Sequence, residues 1–206
     1  MLEAALARLK DAGAVLVEGD IPDVGRLDNE AGFPIALYET VVDLDAYLEG
    51  HASPMRYREL VAQCASPDVA AMLQSLHGEG AVAEAGYRHA LEVLRPQLQA
   101  AFRDHFAHHD VAAIVFPTTP LAAAAIGDDE TVLLNGERVP TFPTFIRNSS
   151  PGSVAGIPGI SMPAAMTAAG LPLGLELDGP ASSDARLLAI AAAVEAVLPK
   201  LPAPRL

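Results

Sequence analysis

The chain has 206 residues, of which 51% are hydrophobic and 19% charged, and its formal net charge is −13. All of the acidic excess lies in residues 1–139, so the surface would repel a phosphate backbone and we expect no nucleic-acid partner. No stretch is long and apolar enough to span a bilayer, the start lacks the features of a secretory signal, and the single cysteine, Cys64, excludes an internal disulfide. We therefore expect a cytoplasmic protein without a membrane partner.

The first predicted element is a helix over residues 2–12, where Leu2, Leu6 and Leu9 fall on one stripe and Gly13 provides a natural stop. The next residues, 14–17, predict a short buried strand. A helix followed by a strand is typical of an α/β unit.

The stretch 29–76 is predicted to be helical in pieces, because prolines interrupt it. Ser53 and Ser66 each stand directly before a proline, as an N-cap does before proline in the first helical position. The interrupting residues are Pro34, Pro54 and Pro67.

A longer helical pattern follows, with apolar residues at steps of three or four from Tyr87 to Phe106. Pro96 lies within it and predicts a kink or a division. The apolar, β-branched run 111–116 then predicts a central strand, which breaks into a loop at residues 117–120.

The last third of the chain predicts short strands and one helix. Residues 121–147 are predicted to be irregular apart from a hairpin over 131–139, with Asn135 and Gly136 at its turn. The remaining predictions are a Gly/Ser/Pro-rich stretch at 148–159, strands at 159–164 and 173–178, a helix at 183–198 capped by Ser182 or Ser183, and a frayed tail at 199–206.

Three segments in fixed order resemble the amidase signature family: Asp110–Pro120 (DVAAIVFPTTP), Asn148–Pro163 (NSSPGSVAGIPGISMP) and Gly170–Pro180 (GLPLGLELDGP). The resemblance covers most of the chain and is weakest over 23–80. The amino-acid sequences of the last two segments are most similar to the branch that contains indoleacetamide and mandelamide hydrolases.

The resemblance implies a partial mixed β-sheet flanked by helices, corresponding to the C-terminal part of an amidase-signature domain. It implies hydrolysis of a carboxylic amide to acid and ammonia, without cofactor and with an arylacetamide-like substrate. The family's Ser–Ser–Lys catalytic residues lie in a segment that this chain does not contain. By resemblance, the acyl pocket would be lined by Thr118, Thr119, Pro120, Phe145 and Asn148. The alternative is that the prolines merely end a strand and Asn148 stabilises a turn.

The chain offers no catalytic base of its own. A Ser–Lys mechanism needs a buried, neutral lysine. Lys10 lies on the flank of the first helix near its C-terminal end and Lys200 lies in a Pro-rich tail, so we expect both to be solvated. Loop and strand roles are expected for Ser149, Ser150, Ser153 and Ser161.

Two further groups of side chains belong to residue types that bind metals or act as nucleophiles. His105, His108 and His109 with Asp110 have spacings that metal sites use, but histidines also suit the end of a helix, and we expect no metal site. Cys64 has no activating base nearby in sequence and is expected to be inert.

We thus expect one α/β unit over 1–206, inactive alone, that acts on a small-molecule amide only within an intact enzyme. A rival hypothesis is an interaction module, which is either a subunit completed by a separate N-terminal partner or a non-functional remnant. An exposed apolar face would serve that partner or a homodimer. A third alternative is independent Ser–His hydrolysis.

Overall fold

The computed structural model describes residues 1–203, apart from the side chain of residue 68. The predicted frayed tail falls in part on 204–206, which lie outside the described residues. The helices are α1 (Leu2–Asp11), α2 (Val24–Gly50), α3 (Tyr57–Val61), α4 (Pro67–Ser75), α5 (Glu84–His89), a π-helical segment (Ala90–Leu94), α6 (Arg95–His109), α7 (Thr141–Ile146), α8 (Ser150–Ala155) and α9 (Asp184–Val197). None of the described helices is long and apolar enough to cross a membrane.

A three-stranded antiparallel sheet is built from β1 (Ile114–Pro117), β4 (Gly159–Met166) and β5 (Pro172–Asp178) in the order β1-β5-β4. The strands predicted at 159–164 and 173–178 are confirmed. The prediction of a central strand at 111–116 is wrong in position, because among the described strands β5 is central and β1 (Ile114–Pro117) lies at the edge. The apolar run of β1 shows that it packs on a core, but not which strand lies beside it.

One face of this sheet forms the core of its unit. Met162 and Ala164 of β4 and Leu175 and Leu177 of β5 pack with side chains from α1 and α9. Those helical residues are Ala5, Leu9, Leu187, Ala191 and Val194, with Ile190 and Val197 partly buried beside them. The apolar stripes predicted for the first and last helices are therefore confirmed. Alternation along β5 places its leucines on this face and turns Glu176 and Asp178 to the other.

A separate hairpin joins β2 (Thr131–Leu134) to β3 (Glu137–Pro140) through the two-residue turn that the sequence predicts. Asn135 and Gly136 have φ of 52° and 88°, which is the backbone geometry of a type I′ turn. Asparagine and glycine tolerate this left-handed region, so the local sequence is sufficient to form the turn.

The chain folds into two compact units, residues 26–97 and the remainder. The 26–97 unit packs around tyrosines. The buried Tyr57 donates from its hydroxyl to the Leu73 carbonyl at 2.8 Å, and Tyr87 stacks on Tyr38 with ring centroids 4.1 Å apart. The single α/β unit over 1–206 stays a prediction, which unfolding experiments can test.

Prolines affect the helices less than predicted. Pro34 lies inside α2, so the predicted division there is wrong. Ser66 is the N-cap of α4 with Pro67 in its first turn, as predicted. Ser53 is not an N-cap, because α3 begins after Arg56. Pro96 follows the π-helical segment. That segment's i→i+5 bonding accommodates the missing N–H, and the helix changes form instead of ending.

Three loop and strand predictions need correction. Residues 14–17 form no strand among the described residues and are exposed. Helix α7 occupies part of the stretch 121–147, which the sequence predicts to be irregular, and α8 occupies part of the Gly/Ser/Pro-rich stretch. Proline in the first turn of α8 and the left-handed Gly156 at its end give that short helix its boundaries.

Candidate functional site

Two hydroxyls and a carboxylate form a network where β1 ends on the polar face of the sheet. Ser161 of β4 lies directly opposite Glu176 of β5. Thr118 follows β1, where its backbone N–H donates to the Gly174 carbonyl at 3.1 Å and its Oγ1 lies 2.5 Å from Ser161 Oγ. The Thr118 side chain also hydrogen-bonds Glu176. An ionised carboxylate only accepts, so Thr118 donates to Glu176 and accepts the proton of Ser161.

The Asp178 carboxyl lies deeper in the same face, between two glycines. Asp178 is 3% exposed and Glu176 is 9% exposed. A methyl group at Gly152 of α8 would lie 2.6 Å from Asp178 Oδ2, and one at Gly159 of β4 would lie 2.6 Å from Oδ1. Glycine is therefore required at both positions for α8 and β4 to approach the carboxyl this closely.

Burial of these two acids changes their protonation. Burial, followed by the negative charge of Glu176, raises the pKa of Asp178 from 3.8 to about 7. Burial also raises the pKa of Glu176, and the hydrogen bond from Thr118 opposes that rise. A carboxyl whose pKa lies near neutrality can hold or release a proton under physiological conditions.

The predicted pocket residues are distributed over three elements. Asn148 donates from Nδ2 to the Pro117 carbonyl at 2.8 Å, which fixes the α7–α8 corner to the end of β1 beside Thr118. Thr119 turns away and donates to the Leu121 carbonyl at 2.7 Å. Pro120 and Phe145, the latter in α7, are half-buried. Within the described residues no hydrogen bond or ring contact joins Phe145 to the 118–120 loop, whereas Asn148 bonds the residue that precedes Thr118.

Ser161, Glu176 and Asp178 are not among the site residues that the sequence predicts. The available signal was polar residues at alternate positions of β5, on either side of Leu177. Alternation of this kind usually marks a solvent-facing side of a strand. Only the tertiary structure reveals that these two carboxylates are buried, with Gly152 of α8 and Gly159 of β4 lying against Asp178.

The lysines lie where the sequence predicts them. Lys10 at the end of α1 and Lys200 after α9 are both exposed, and among the described residues neither contacts a serine hydroxyl. Ser150 and Ser153 belong to α8, while Ser161 lies on β4. The described part of the chain thus presents serine hydroxyls without the buried lysine that a Ser–Lys mechanism needs.

Histidines at the end of α6 line a shallow groove with Asp20 and Asp104. The His105 and His109 rings lie 4.6 Å apart between centroids. Burial, together with the neighbouring His109, lowers the pKa of His105, although a backbone hydrogen bond at Asp20 opposes this. Across the described residues, no group of three or more histidine, cysteine or carboxylate side chains is arranged to hold a metal ion.

Comparison with known proteins assigns the family. The amidase family model matches residues 1–188, so the chain belongs to the amidase family. It is 42% identical over 193 residues to the indoleacetamide hydrolase of Agrobacterium vitis, covering 94% of this chain and 41% of that protein. It is 34% identical to the mandelamide hydrolase of Pseudomonas putida, covering 99% of this chain and 41% of that protein. The predicted family and branch are confirmed.

Solved structures agree with the sequence relatives. The chain superimposes on a crystal structure of an amidase with a TM-score of 0.75 at 27% identity, covering 96% of this chain and 42% of that one. It superimposes on the peptide amidase of Stenotrophomonas maltophilia with a TM-score of 0.68 at 26% identity, covering 95% of this chain and 38% of that one. The fold predicted from sequence, the C-terminal part of an amidase domain, is therefore confirmed. The chain spans about two fifths of the length of the relatives it matches.

Proposed function

We propose that this chain is the C-terminal part of a hydrolase that converts a carboxylic amide to an acid and ammonia, and that it is inactive until another polypeptide segment completes it. The observation that carries the proposal is the coverage: the amidase model matches residues 1–188, yet the chain corresponds to only 41% of the indoleacetamide hydrolase. The completing segment would correspond to the relatives' N-terminal part and would supply the nucleophile and base.

Amide hydrolysis needs an activated nucleophile because resonance stabilises the amide. A serine hydroxyl becomes nucleophilic only when a base takes its proton, and in this chain both lysines are exposed. When Glu176 is ionised, Thr118 donates a hydrogen bond to its carboxylate and accepts one from the Ser161 hydroxyl. That network orders the hydroxyls but provides no basic nitrogen, which supports inactivity of the chain alone.

The chain's own contribution would be the wall of the acyl pocket. Thr118, Thr119 and Pro120 follow β1, and Asn148 holds the adjacent corner through the Pro117 carbonyl. Phe145 would supply an aromatic surface for an arylacetamide-like substrate, by analogy with the names of the relatives. In the completed enzyme, a Phe145→Ala change should raise KM for indoleacetamide more than KM for acetamide.

A direct assay tests the activity. Purified chain is incubated with indoleacetamide, mandelamide and acetamide, and ammonia release is measured before and after addition of the part of the Agrobacterium vitis indoleacetamide hydrolase that this chain does not match. We expect no turnover by either part alone and turnover by the mixture. Turnover by the chain alone that survives repurification, or an inert mixture in which a complex has formed, would contradict the proposal.

An interaction module is the second candidate, favoured by exposed apolar side chains such as Val15 and Ile126. In this alternative the chain associates with a separate partner or with a second copy and has no catalytic role. Light scattering combined with the mixing assay separates the two functions, because a module forms a complex without turnover. A cytoplasmic location accords with the single Cys64, and cell fractionation tests it.

A further inference from the structure

The polar face of the three-stranded sheet carries an aromatic ring beside a pair of hydroxyls. Phe116 of β1 and Ser161 of β4 both lie directly opposite Glu176 of β5, so their side chains project from the same face. Thr118 joins them there, since its hydroxyl meets that of Ser161. Phe116 and Thr118 are half-buried and Ser161 is exposed. An aromatic ring and two hydroxyl oxygens are therefore accessible side by side.

A glycine on β5 makes room for the two hydroxyls. A methyl group at Gly174 would lie 2.6 Å from Thr118 Oγ1 and 2.9 Å from Ser161 Oγ, which is closer than non-bonded atoms approach each other. With any larger residue at this position, the two oxygens could not meet at 2.5 Å above β5. The absence of a side chain at Gly174 therefore allows the pair to form.

The ionisation of Glu176 decides which hydrogen-bonding groups this pair presents. Burial raises the pKa of Glu176 and of Asp178, and the charge of Glu176 raises the pKa of Asp178 further, whereas the hydrogen bond from Thr118 lowers the pKa of Glu176. Of the two acids, Glu176 therefore ionises first. With Glu176 ionised, the Thr118 proton is directed to the carboxylate and the Ser161 proton to Thr118. The lone pairs that remain on the two hydroxyls can only accept.

We propose that the Thr118–Ser161 pair recognises a hydrogen-bond donor on the acyl group of the substrate, and that Glu176 positions the pair by keeping both hydroxyls as acceptors. This preference rests on the proposed function and narrows its substrate class to arylacetamides that carry an N–H or O–H on the acyl group. The ring N–H of indoleacetamide and the α-hydroxyl of mandelamide are donors of this kind. Phe116 offers the aryl ring a surface to stack against.

A substrate without the donor is expected to bind less well. In a closed pocket it would leave the oxygens of Thr118 and Ser161 without a partner, and an unsatisfied polar group that is removed from water costs binding energy. The face therefore discriminates between acyl groups of the same shape that differ only in one donor.

The hydroxyl network is tested in the chain alone. Carboxyl 13C NMR of the glutamate-labelled chain is followed through a pH titration, and the Glu176 signal is identified by its loss in Glu176→Gln. We expect Thr118→Val to raise the pKa of Glu176, because valine has nearly the same shape but no proton to donate. Ser153→Ala, which removes an exposed hydroxyl of α8, should not alter it. An unaltered pKa in Thr118→Val would show that Glu176 does not hold the pair.

The substrate preference is tested in the complex with the unmatched part of the Agrobacterium vitis indoleacetamide hydrolase. The probes are indoleacetamide and benzofuran-3-acetamide, in which a ring oxygen replaces the N–H. We expect kcat/KM to be higher for indoleacetamide by about tenfold or more, and Ser161→Ala and Glu176→Gln each to reduce that ratio. A glutamine side chain can donate as well as accept, so it no longer keeps the hydroxyls as acceptors. Ser153→Ala is the matched control and should keep the ratio.

The ratio of the two probes separates recognition of the donor from a general loss of structure, because a misfolded variant loses activity toward both probes equally. An active complex with the same kcat/KM for the two probes, or with a ratio that neither Ser161→Ala nor Glu176→Gln changes, would overturn the preference and leave the proposed function standing. An inert complex would overturn the proposed function and the preference with it.

Discussion

The Asp178 carboxyl is buried against Gly152 and Gly159, and within the described residues no side chain donates a hydrogen bond to it. Removing a charged carboxylate from water costs several kcal/mol or more unless it is paired. The folded protein therefore favours the neutral form, with a pKa of about 7 against an ordinary value of 3.8. Because the folded state holds this proton more tightly than the unfolded state does, the free energy of unfolding falls as pH rises through that range.

Asp178→Asn should remove that dependence. At a pH of about 8 the amide spares the protein a buried charge, so we expect the free energy of unfolding to increase by about 1–3 kcal/mol. The increase should shrink as the pH falls between the two pKa values and be small at a pH of about 3, where the carboxyl is protonated in both the folded and the unfolded state. Urea denaturation at the two pH values measures this. Glu195→Gln, at an exposed position of α9, is the matched control. A variant difference that is equal at both pH values would mean that Asp178 is charged in the folded protein throughout.

At the scale of single elements, α2 and α4 contain prolines in contrasting positions. Pro34 lies in the interior of α2 and Pro67 in the first turn of α4. An interior proline removes one helical hydrogen bond and costs the helix about 3 kcal/mol, whereas the first turn has no such bond to lose.

We expect Pro34→Ala to raise the free energy of unfolding by about 1–2 kcal/mol, part of the helical gain being offset by greater freedom of the unfolded chain. Pro67→Ala should be neutral or slightly destabilising. Chemical denaturation of both variants measures the difference. Equal effects would show that α2 has adapted to its proline through packing of the half-buried ring.

At the scale of the whole molecule, the two compact units are joined by continuous helix. The sequence predicts one α/β unit, and the helical run from α5 to α6 passes from residues 26–97 into the other unit. We therefore expect both units to unfold in one cooperative transition.

The positions of the tyrosines allow the unfolding of the two units to be followed separately. All four lie within 26–97 and the chain has no tryptophan, so tyrosine fluorescence reports on that unit alone, while hydrogen exchange at β5 reports on the other. Coincident urea midpoints would support one unit. Midpoints that differ clearly would divide the chain into two domains.

Locally encoded elements were predictable from the sequence. The periodicity of α1 and α9, the Asn135-Gly136 turn and the strands β4 and β5 depend on neighbours within a few residues, and each was found. The family followed from three segments that resemble it in the same order along the chain. Thr118 and Asn148 were selected by the resemblance to that family; Asn148 hydrogen-bonds the Pro117 carbonyl at the end of β1, and the role of both residues in a pocket stays a prediction.

Features that depend on distant residues were decided only by tertiary structure. Glu176 and Asp178 occupy alternate positions that usually face solvent, yet both are buried, with Gly152 of α8 and Gly159 of β4 lying against Asp178. Residues 14–17 have the composition of a strand, but a strand also needs the backbone of a second strand, which no residue in the described chain provides. Local sequence sets the conformation that a segment prefers, whereas burial and pairing depend on which other groups the completed fold brings against it.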